Sequence, residues 1–320
     1  MNEKPYVSVV IPVLNEEENV EPLHERLREV LDREASRREI IYVDDGSTDG
    51  TVARIRGLHE KDPTVKLVCL SRNFGHQLAL TAGLDHAQGD LCITMDADLQ
   101  HPPDAIPRFL EKWREGYEVV SGVKSGASKR SWLVEPFSRF FYFLMSRLSD
   151  TPVDPEASDY RLFTRPVVTA LRATRESTRY LRGLVRWVGF RSTTVPYQTA
   201  ERFRGSAKYT LGQRISLARA GIFSFSIIPL RLASLAGVVV AALAFVYAVY
   251  AIYARLVLHQ TIQGWTSLII VVLFLGSLQL LFTGILGEYL GRVFIEAKDR
   301  PLYVVRSRIG LEEEAAVPRR

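Results

Sequence analysis

Cysteine is scarce in this chain: Cys69 and Cys92 are the only two among 320 residues. Two cysteines cannot build a disulfide-stapled scaffold, nor can they supply a zinc or iron–sulfur site that needs several cysteine ligands. Both lie in apolar runs, where a free cysteine behaves as a small core residue. The chain therefore suits a reducing compartment, and its chemistry must depend on other side chains.

Glycine-rich phosphate loops are also missing. No G-x-G-x-x-G follows the first predicted strand and no Walker A motif occurs, which argues against an NAD-dependent enzyme and a P-loop ATPase. The six histidines show no spacing typical of metal ligands. The net charge of +5 is modest for this length, so we expect no nucleic acid partner.

Two long stretches lack charge altogether. Residues 232–254 and 261–287 contain no Asp, Glu, Lys or Arg, and each reaches the roughly 20 apolar residues that span a bilayer. We predict transmembrane helices at about 231–255 and 264–287. A buried hairpin in a soluble core is the alternative, and it would have to hide both runs completely.

Basic residues flank this hairpin, which occupies residues 229–290, on both sides. By the positive-inside bias, residues 1–220 and a tail of residues 291–320 are cytoplasmic. No signal peptide is expected, because residues 1–5 lead directly into a strand pattern. The predicted location is the inner (plasma) membrane, with two spans and both termini in the cytoplasm.

The region before the hairpin alternates short β-rich runs with helical patterns. Such alternation predicts an α/β fold with a mostly parallel sheet and a ligand site at the carboxyl ends of the strands. The strands are predicted at residues 7–12, 39–43, 65–70, 91–95 and 118–121. Helices are predicted at about 17–34, 50–61, 75–88 and 103–116.

Polar residues follow the first two strands, at 15–16 and 44–49. Ser47 and Asp49 are explained by a turn and a helix cap. Asp44 and Asp45 are adjacent acids leaving a buried strand, which a turn explains less well. A carboxylate at this edge can accept hydrogen bonds from a ribose hydroxyl or a base, so a nucleotide site is predicted here.

The fourth strand runs directly into Asp96, Asp98 and Gln100. If the chain stays extended, alternation places the three side chains in one row. Two carboxylates and an amide oxygen suit Mg²⁺ or Mn²⁺, with diphosphate oxygens completing the coordination. An isolated D-x-D is a weak motif, but its position beside the acids of the second strand favours a metal site.

Together these motifs resemble family 2 glycosyltransferases with the GT-A fold, and among them the polyprenyl-phosphate hexosyltransferases. The resemblance covers nearly the whole chain and includes the hairpin. Its motifs are IPVLNE at 11–16, VDDGSTD at 43–49, SRNFGH at 71–76, MDADLQ at 95–100, SDYR at 158–161 and GEYLGR at 287–292. One departure is Leu14, where related enzymes often have tyrosine.

The resemblance implies a nucleotide-sugar donor, a metal ion on Asp96, Asp98 and Gln100, and a mobile loop over the diphosphate that carries Arg202 and Lys208. The same cations also fit the positive-inside bias alone. The implied donor contacts are Pro12, Asn15, Glu16, Asp44, Asp45, Ala97, Asp98, Arg202 and Lys208. The implied catalytic residues are Asp96, Asp98, Asp159, Arg202 and Lys208.

The acceptor substrate is inferred from the segments that are predicted to contact the membrane. Residues 131–148 and 212–228 resemble helices lying in the bilayer interface, with a core helix as the alternative for the first. A site flanked by such helices lies at headgroup depth, where Lys124, Ser138 and Arg139 would contact a lipid phosphate. The expected partners are therefore the membrane, a nucleotide sugar and polyprenyl phosphate.

The predicted reaction is an inverting, metal-dependent transfer of a hexose from UDP-glucose or GDP-mannose to undecaprenyl phosphate at the cytoplasmic membrane face. Asp159 is predicted to orient the acceptor or serve as a base; ion pairing with Arg161, or a helix cap, is the alternative. Glycines at 276, 284 and 287 would permit close helix packing and thus association of two copies.

Two other functions remain as alternatives. A processive polysaccharide synthase resembles this chain in the donor half. The Q-x-x-R-W motif of those enzymes is incomplete here, because Gly183 stands where glutamine is needed before Arg186 and Trp187. Two spans also cannot enclose a polymer channel. A non-catalytic, membrane-anchored nucleotide-sugar binder would be expected to lack Asp96 or Asp98, and both are present.

Overall fold

The computed structural model describes residues 4–125, 157–177, 179–198, 228–257 and 264–311. The chain divides into two compact units. One contains a sheet with its covering helices and includes residues 300–311; the other contains two long apolar helices. The segments predicted as interfacial helices were 131–148 and 212–228; both lie outside the described residues except for Ile228, the first residue of a long helix.

The first unit is built around a mixed sheet. Within the described residues it has eight strands in the order β7-β5-β6-β4-β1-β2-β3-β8. Pairs β1–β2, β1–β4, β2–β3 and β5–β7 are parallel, and the other three are antiparallel. The strands are β1 Tyr6–Val13, β2 Arg37–Asp44, β3 Val65–Leu70, β4 Leu91–Thr94, β5 Val119–Lys124, β6 Ala157–Thr164, β7 Ser192–Tyr197 and β8 Val305–Ile309. The predicted α/β class with a mostly parallel sheet is confirmed.

Helices cover both faces of this sheet. The helices of the first unit are α1 Val20–Glu34, α2 Thr51–Lys61, α3 His76–His86, α4 Ile106–Arg114, α5 Arg165–Ala173 and α6 Leu181–Trp187, with a 3₁₀ turn at Pro103–Ala105. One face packs against α1, α2 and α4, the other against α3, α5 and α6. All five predicted strands and the first four helices are present; β6 to β8, α5 and α6 were not predicted.

Strand β1 lies in the middle of the sheet, yet it contains Pro12. Val10 bonds toward β4, since its carbonyl accepts the Met95 amide at 3.1 Å. The backbone nitrogen of Pro12, two residues later, also points toward β4. The pairing of β1 with β4 has by then ended, at Val10 and Thr94. The missing N–H of proline therefore removes no ladder hydrogen bond. This early end of β4 opens the sheet edge at which the acidic residues collect.

Helix α3 packs unusually close to β1 because of Gly83. A Cβ atom at this position would lie 2.1 Å from Cγ1 of Val10. Val10 is fully buried, so it has no free space to move into. The glycine thus sets the depth of α3 on the sheet, and with it the position of the side chains at the helix N-terminus.

The predicted cytoplasmic tail at residues 291–320 is only partly a tail. Residues 305–309 form strand β8, which pairs antiparallel with β3 and is the outermost strand on that side of the sheet. Nearby, the hydroxyl of Tyr303 donates to Asp85 at 2.7 Å, and the amide of Ser71 donates to the Val304 carbonyl at 2.8 Å. Residues 312–320 lie outside the described part of the chain.

The second unit contains helices α7 Ile228–Leu256 and α8 Trp265–Ala297. Ala233–Tyr253 and Leu268–Ala297 are long and apolar enough to cross a membrane, with mean hydropathies of 2.4 and 2.5. The predicted helices are present, although α8 continues ten residues beyond the predicted end at 287. A Cβ atom at Gly276, Gly284 or Gly287 would meet nothing within 4 Å. Within the described residues, these glycines are therefore not contact points between α7 and α8.

Candidate active site

Hydrogen bonds join the loops that follow β1 and β2. Asn15 adopts a positive φ of 57°, which places its backbone amide 3.0 Å from the Ser47 hydroxyl. Its side-chain oxygen accepts the Thr48 amide at 2.8 Å. Glu17 likewise accepts the Gly50 amide at 2.6 Å. The two loops therefore form one unit, and Asn15, predicted as a donor contact, has a structural role in it.

Glu16 lies at the same edge, half-buried, with its carboxylate accepting a hydrogen bond from the side chain of Asn19 at 2.6 Å. Burial raises the pKa of Glu16, and the nearby charges of Asp98, Asp49 and Asp96 raise it further. Several carboxylates thus share a small region. Such a concentration of negative charge is stabilised by a cation.

Asp44 and Asp45 are both buried, and both are bound to the backbone. Asp44 accepts the Ser47 amide at 3.0 Å, so it forms the turn itself. The carboxylate of Asp45 accepts the amides of Phe74 at 2.7 Å and Gly75 at 2.9 Å. Burial nevertheless raises the pKa of Asp45 above its usual value. Asp45 therefore holds the loop after β3 against the end of β2.

The D-x-D motif does not continue β4 as an extended row. The strand ends at Thr94, residues 97–99 bend, and Leu99 adopts a φ of 61°. Asp98 accepts the backbone amide of Gln100 at 3.1 Å, which closes a tight turn. The expected alternation of Asp96, Asp98 and Gln100 is therefore wrong. Asp96 and Asp98 both lie close enough to Glu16 for their charges to raise its pKa.

Two histidines hold Asp96, and sequence analysis did not assign them this role. Nε2 of His76 lies 2.8 Å from one carboxylate oxygen, while Nδ1 of His101 accepts the Asp96 backbone amide at 2.9 Å. Burial opposes ionisation of Asp96, but the hydrogen bond from His76 and the charges of His76 and Arg182 lower its pKa to about 2. Asp96 is thus ionised at neutral pH.

His101 is buried and stacks on the ring of Tyr160, with 5.0 Å between ring centroids. Burial lowers the pKa of His101, although Asp96 and Asp98 act in the opposite direction. Because its Nδ1 accepts a hydrogen bond, the neutral ring carries its proton on Nε2. This packing fixes the turn that presents the D-x-D carboxylates.

Lys124 ends strand β5 and lies next to this turn. Its ammonium donates to the side-chain oxygen of Gln100 at 3.2 Å. The structure therefore brings a predicted acceptor-phosphate residue together with a predicted metal ligand. The same contact engages the oxygen that Gln100 would offer to a metal ion.

Asp159 is buried and makes a two-point ion pair with Arg182, whereas the alternative considered from the sequence paired it with Arg161. Nε and Nη2 of Arg182 lie 3.0 and 2.9 Å from the two carboxylate oxygens. Burial opposes ionisation, but the Arg182 hydrogen bonds and charge lower the pKa of Asp159. Arg161 instead donates to the Ser158 carbonyl at 2.9 Å. A lowered pKa makes Asp159 a weak base.

The remaining predicted positions divide into two sets. Pro12 and Ala97 are buried at the same sheet edge, at the end of β1 and between the D-x-D acids. Arg202, Lys208, Ser138 and Arg139 lie outside the described residues.

The residues present fit a divalent cation that is completed by a ligand. Within the described ranges, no three His, Cys, Asp or Glu side chains form a metal site by themselves. Mg²⁺ is typically held by one or two carboxylates together with substrate phosphates and water. Ionised Asp96 with neighbouring Asp98 provides such a pair.

Comparisons with known proteins identify the family of the chain. Residues 8–172 match the family described as Glycosyl transferase family 2. A bactoprenol glucosyl transferase of Shigella phage SfV is 38% identical over 301 residues, covering 94% of this chain and 98% of its own. An uncharacterized glycosyltransferase of Bacillus subtilis, YkcC, is 41% identical over 307 residues, covering 96% and 95%.

Among solved structures, the chain resembles the mannosyltransferase PcManGT from Pyrobaculum calidifontis in complex with GDP-Man and Mn²⁺. The two share 22% sequence identity with a TM-score of 0.46, over 78% of this chain and 81% of the other. This likeness concerns the fold alone. The family match and the relatives that align with nearly the whole chain support the assignment: the chain belongs to glycosyltransferase family 2 and is a glycosyltransferase.

Proposed function

We propose that the protein transfers a hexose from a nucleotide sugar, UDP-glucose or GDP-mannose, to undecaprenyl phosphate at the cytoplasmic face of the inner membrane. The observation that carries the proposal is the extent of the match to bactoprenol glucosyl transferases. The match covers 94% of this chain, so it includes both the sheet with its acidic edge and the two apolar helices.

The lipid phosphate oxygen would attack the anomeric carbon while the nucleoside diphosphate leaves, and a single in-line step inverts the configuration. A phosphate monoester has a second pKa near 6, so its oxygen is already anionic at neutral pH. A strong base is therefore unnecessary. This agrees with Asp159 being paired to Arg182 and having a lowered pKa.

Asp96 and Asp98 would hold Mg²⁺ or Mn²⁺ together with the donor diphosphate. When bound, such an ion stabilises the negative charge that develops on the leaving group. Lys124, next to Gln100, would position the acceptor phosphate, assisted by Ser138 and Arg139. Arg202 and Lys208 are proposed to neutralise the diphosphate.

The test is a panel of nucleotide sugars offered to the full-length protein with undecaprenyl phosphate and Mg²⁺ or Mn²⁺, with product lipids identified by mass. We expect a hexosyl-phosphoryl lipid from UDP-glucose or GDP-mannose. Omission of undecaprenyl phosphate should abolish product formation. Transfer to water or to a growing polysaccharide, with no lipid-linked monosaccharide, would contradict the proposal.

Asp45 offers a prediction about donor binding. In Asp45→Asn, an NH₂ group replaces one of the two oxygens that accept the Phe74 and Gly75 amides. The loop after β3 should shift from the nucleotide edge, so we expect KM for the donor to rise about tenfold with a smaller change in kcat, because charge-assisted bonds are worth roughly 1.5–3 kcal/mol.

The matched control is Asp104→Asn, an exposed acid in the 3₁₀ turn after the D-x-D motif. It should leave both kinetic constants unchanged. An Asp45→Asn enzyme with the KM of the unmodified protein would show that Asp45 does not shape the donor site.

A further inference from the structure

Helix α3 begins at the sheet edge that carries the acids, and its first residue, His76, is exposed there. Nε2 of His76 lies 2.8 Å from Oδ1 of Asp96. An ionised carboxylate can only accept a hydrogen bond, so the ring must donate from Nε2, whether or not the ring is charged. The direction of this hydrogen bond is therefore fixed.

The other oxygen of Asp96 has different surroundings. Nδ1 of His101 lies 3.6 Å from Oδ2, but this nitrogen accepts the Asp96 backbone amide and so has no hydrogen to donate. Within the residues that the structure describes, Oδ2 therefore has no hydrogen-bond donor. The Asp96 side chain keeps 36% of its surface exposed. One oxygen is held, and the other is open to a ligand.

The next residue of α3 orients the His76 ring. The Leu181 amide at the start of α6 donates to Oε1 of Gln77 at 3.1 Å, so the NH₂ group of Gln77 must point the other way. On that side, Nε2 of Gln77 lies 3.5 Å from Nδ1 of His76 and 3.5 Å from Oδ2 of Asp159. Such distances are long for hydrogen bonds. The position of the NH₂ group nevertheless matches a ring that accepts at Nδ1 and donates from Nε2.

The start of α3 is itself fixed to the sheet. The carboxylate of Asp45 accepts the Gly75 amide at 2.9 Å, and Gly75 has a φ of 99°, which glycine adopts readily. Further along the helix, Gly83 allows close packing on β1. His76 is therefore presented by an anchored helix, which holds a side chain more accurately than a free loop does.

We propose that His76 is a positioning residue for glycosyl transfer: by binding Oδ1 of Asp96, it leaves Oδ2 for the divalent cation that carries the donor diphosphate. The inference rests on the proposed function, because that function assigns the cation to Asp96. Hydrogen bonds to the ligands of a metal ion orient them, and removal of such a partner typically weakens metal binding by roughly 10–100-fold.

The test compares two substitutions that replace different nitrogens of the ring. The amide nitrogen of glutamine can reach the position of Nε2, whereas that of asparagine reaches only the position of Nδ1. We expect His76→Gln to bind Mn²⁺ nearly as the unmodified protein does, and His76→Asn to bind it about tenfold more weakly. Because 44% of the His76 side-chain surface is exposed, neither change should disturb the core.

The measurement is a Mn²⁺ titration of the full-length protein, followed by electron paramagnetic resonance. UDP and GDP are tested in turn, and the nucleotide that the unmodified protein binds is kept in all later titrations. Turnover in the lipid-phosphate assay at subsaturating Mn²⁺ should rank the three proteins in the same order.

His59→Asn is the matched control. His59 lies near the end of α2, at the opposite edge of the sheet, where its Nδ1 donates to the Val65 carbonyl at 2.6 Å. Asparagine can replace that donor. Both Mn²⁺ binding and the melting temperature should therefore equal those of the unmodified protein.

Asp96→Asn separates this inference from the proposed function. If Asp96→Asn binds Mn²⁺ normally, or the unmodified protein binds none with either nucleotide, the proposed cation site is wrong and the inference falls with it. If Asp96→Asn binds weakly while His76→Asn binds normally, only the inference is overturned. Equal weakening in His76→Gln and His76→Asn would also overturn it, because the ring would then not act through Nε2.

Discussion

Asp98→Asn is expected to lower turnover by about 10²-fold or more, the loss seen when one group that stabilises developing charge is removed. Asparagine keeps the oxygen that accepts the Gln100 amide at 3.1 Å, so the turn should survive. What is lost is one of the two negative charges proposed to hold the cation with the donor diphosphate. The measurement is kcat in the lipid-phosphate assay with saturating donor and Mn²⁺.

The control for this experiment is again Asp104→Asn, which removes an acidic charge six residues away in sequence without touching the turn. Thermal melting should be the same for both variants and the unmodified protein. Raising the Mn²⁺ concentration should restore part of the activity of Asp98→Asn if the charge acts through the cation. Full turnover by Asp98→Asn would refute the proposed role of the carboxylate pair.

Glu39→Gln is expected to reduce the free energy of unfolding by about 3 kcal/mol, in the range found when one partner of a buried ion pair is removed. Glu39 has an exposure of 1% and accepts hydrogen bonds from the side chains of Ser8 and Lys66 and from the Gln88 amide. Without the carboxylate, the buried ammonium of Lys66 has lost its charge partner. Denaturant unfolding at pH 7 measures the change.

The pH dependence of this effect has a defined sign. Burial alone would raise the pKa of Glu39, but the hydrogen bonds from Lys66, Ser8 and Gln88 outweigh it and lower the pKa. The stabilisation is therefore complete above the pKa of the unfolded chain, about 4.3. It is lost as the pH falls through the lower folded-state value.

The difference between Glu39→Gln and the unmodified protein should consequently shrink in acid. Glu29→Gln changes an exposed acid of α1 and serves as the control, with unfolding close to that of the unmodified protein at every pH. An equally large difference at acidic and neutral pH would show that lost packing, and not lost charge, destabilises the variant.

The predicted part of the fold consists of elements with strong local signals. Strands β1 to β4 contain continuous apolar stretches, such as residues 9–13, 40–43 and 67–70, because buried parallel strands face hydrophobic neighbours on both sides. Strands β6 and β8 contain charged residues, such as Arg161 and Arg306, and pair antiparallel with strands distant in sequence. No local pattern indicates such pairing, so sequence analysis assigned residues 305–309 to a tail.

The candidate site, like the fold, was predictable from the sequence only in part. Loop residues at the ends of β1, β2 and β4 were expected to meet, since parallel strands place their carboxyl ends at one edge. Their partners were not predictable: Asp96 is held by His76, 20 positions away, and Asp159 by Arg182, 23 positions away. The positive φ of Leu99, a residue type that seldom adopts it, also broke the expected row of metal ligands.

Strand β8 has a consequence for the biosynthesis of the enzyme. A ribosome completes residues 305–309 only after both apolar helices have been translated. Until then β3 presents unpaired backbone groups along one edge, a surface that invites pairing with other nascent chains. The catalytic sheet is therefore completed only after both apolar helices have been translated, and a chain truncated between α8 and β8 would be prone to aggregation.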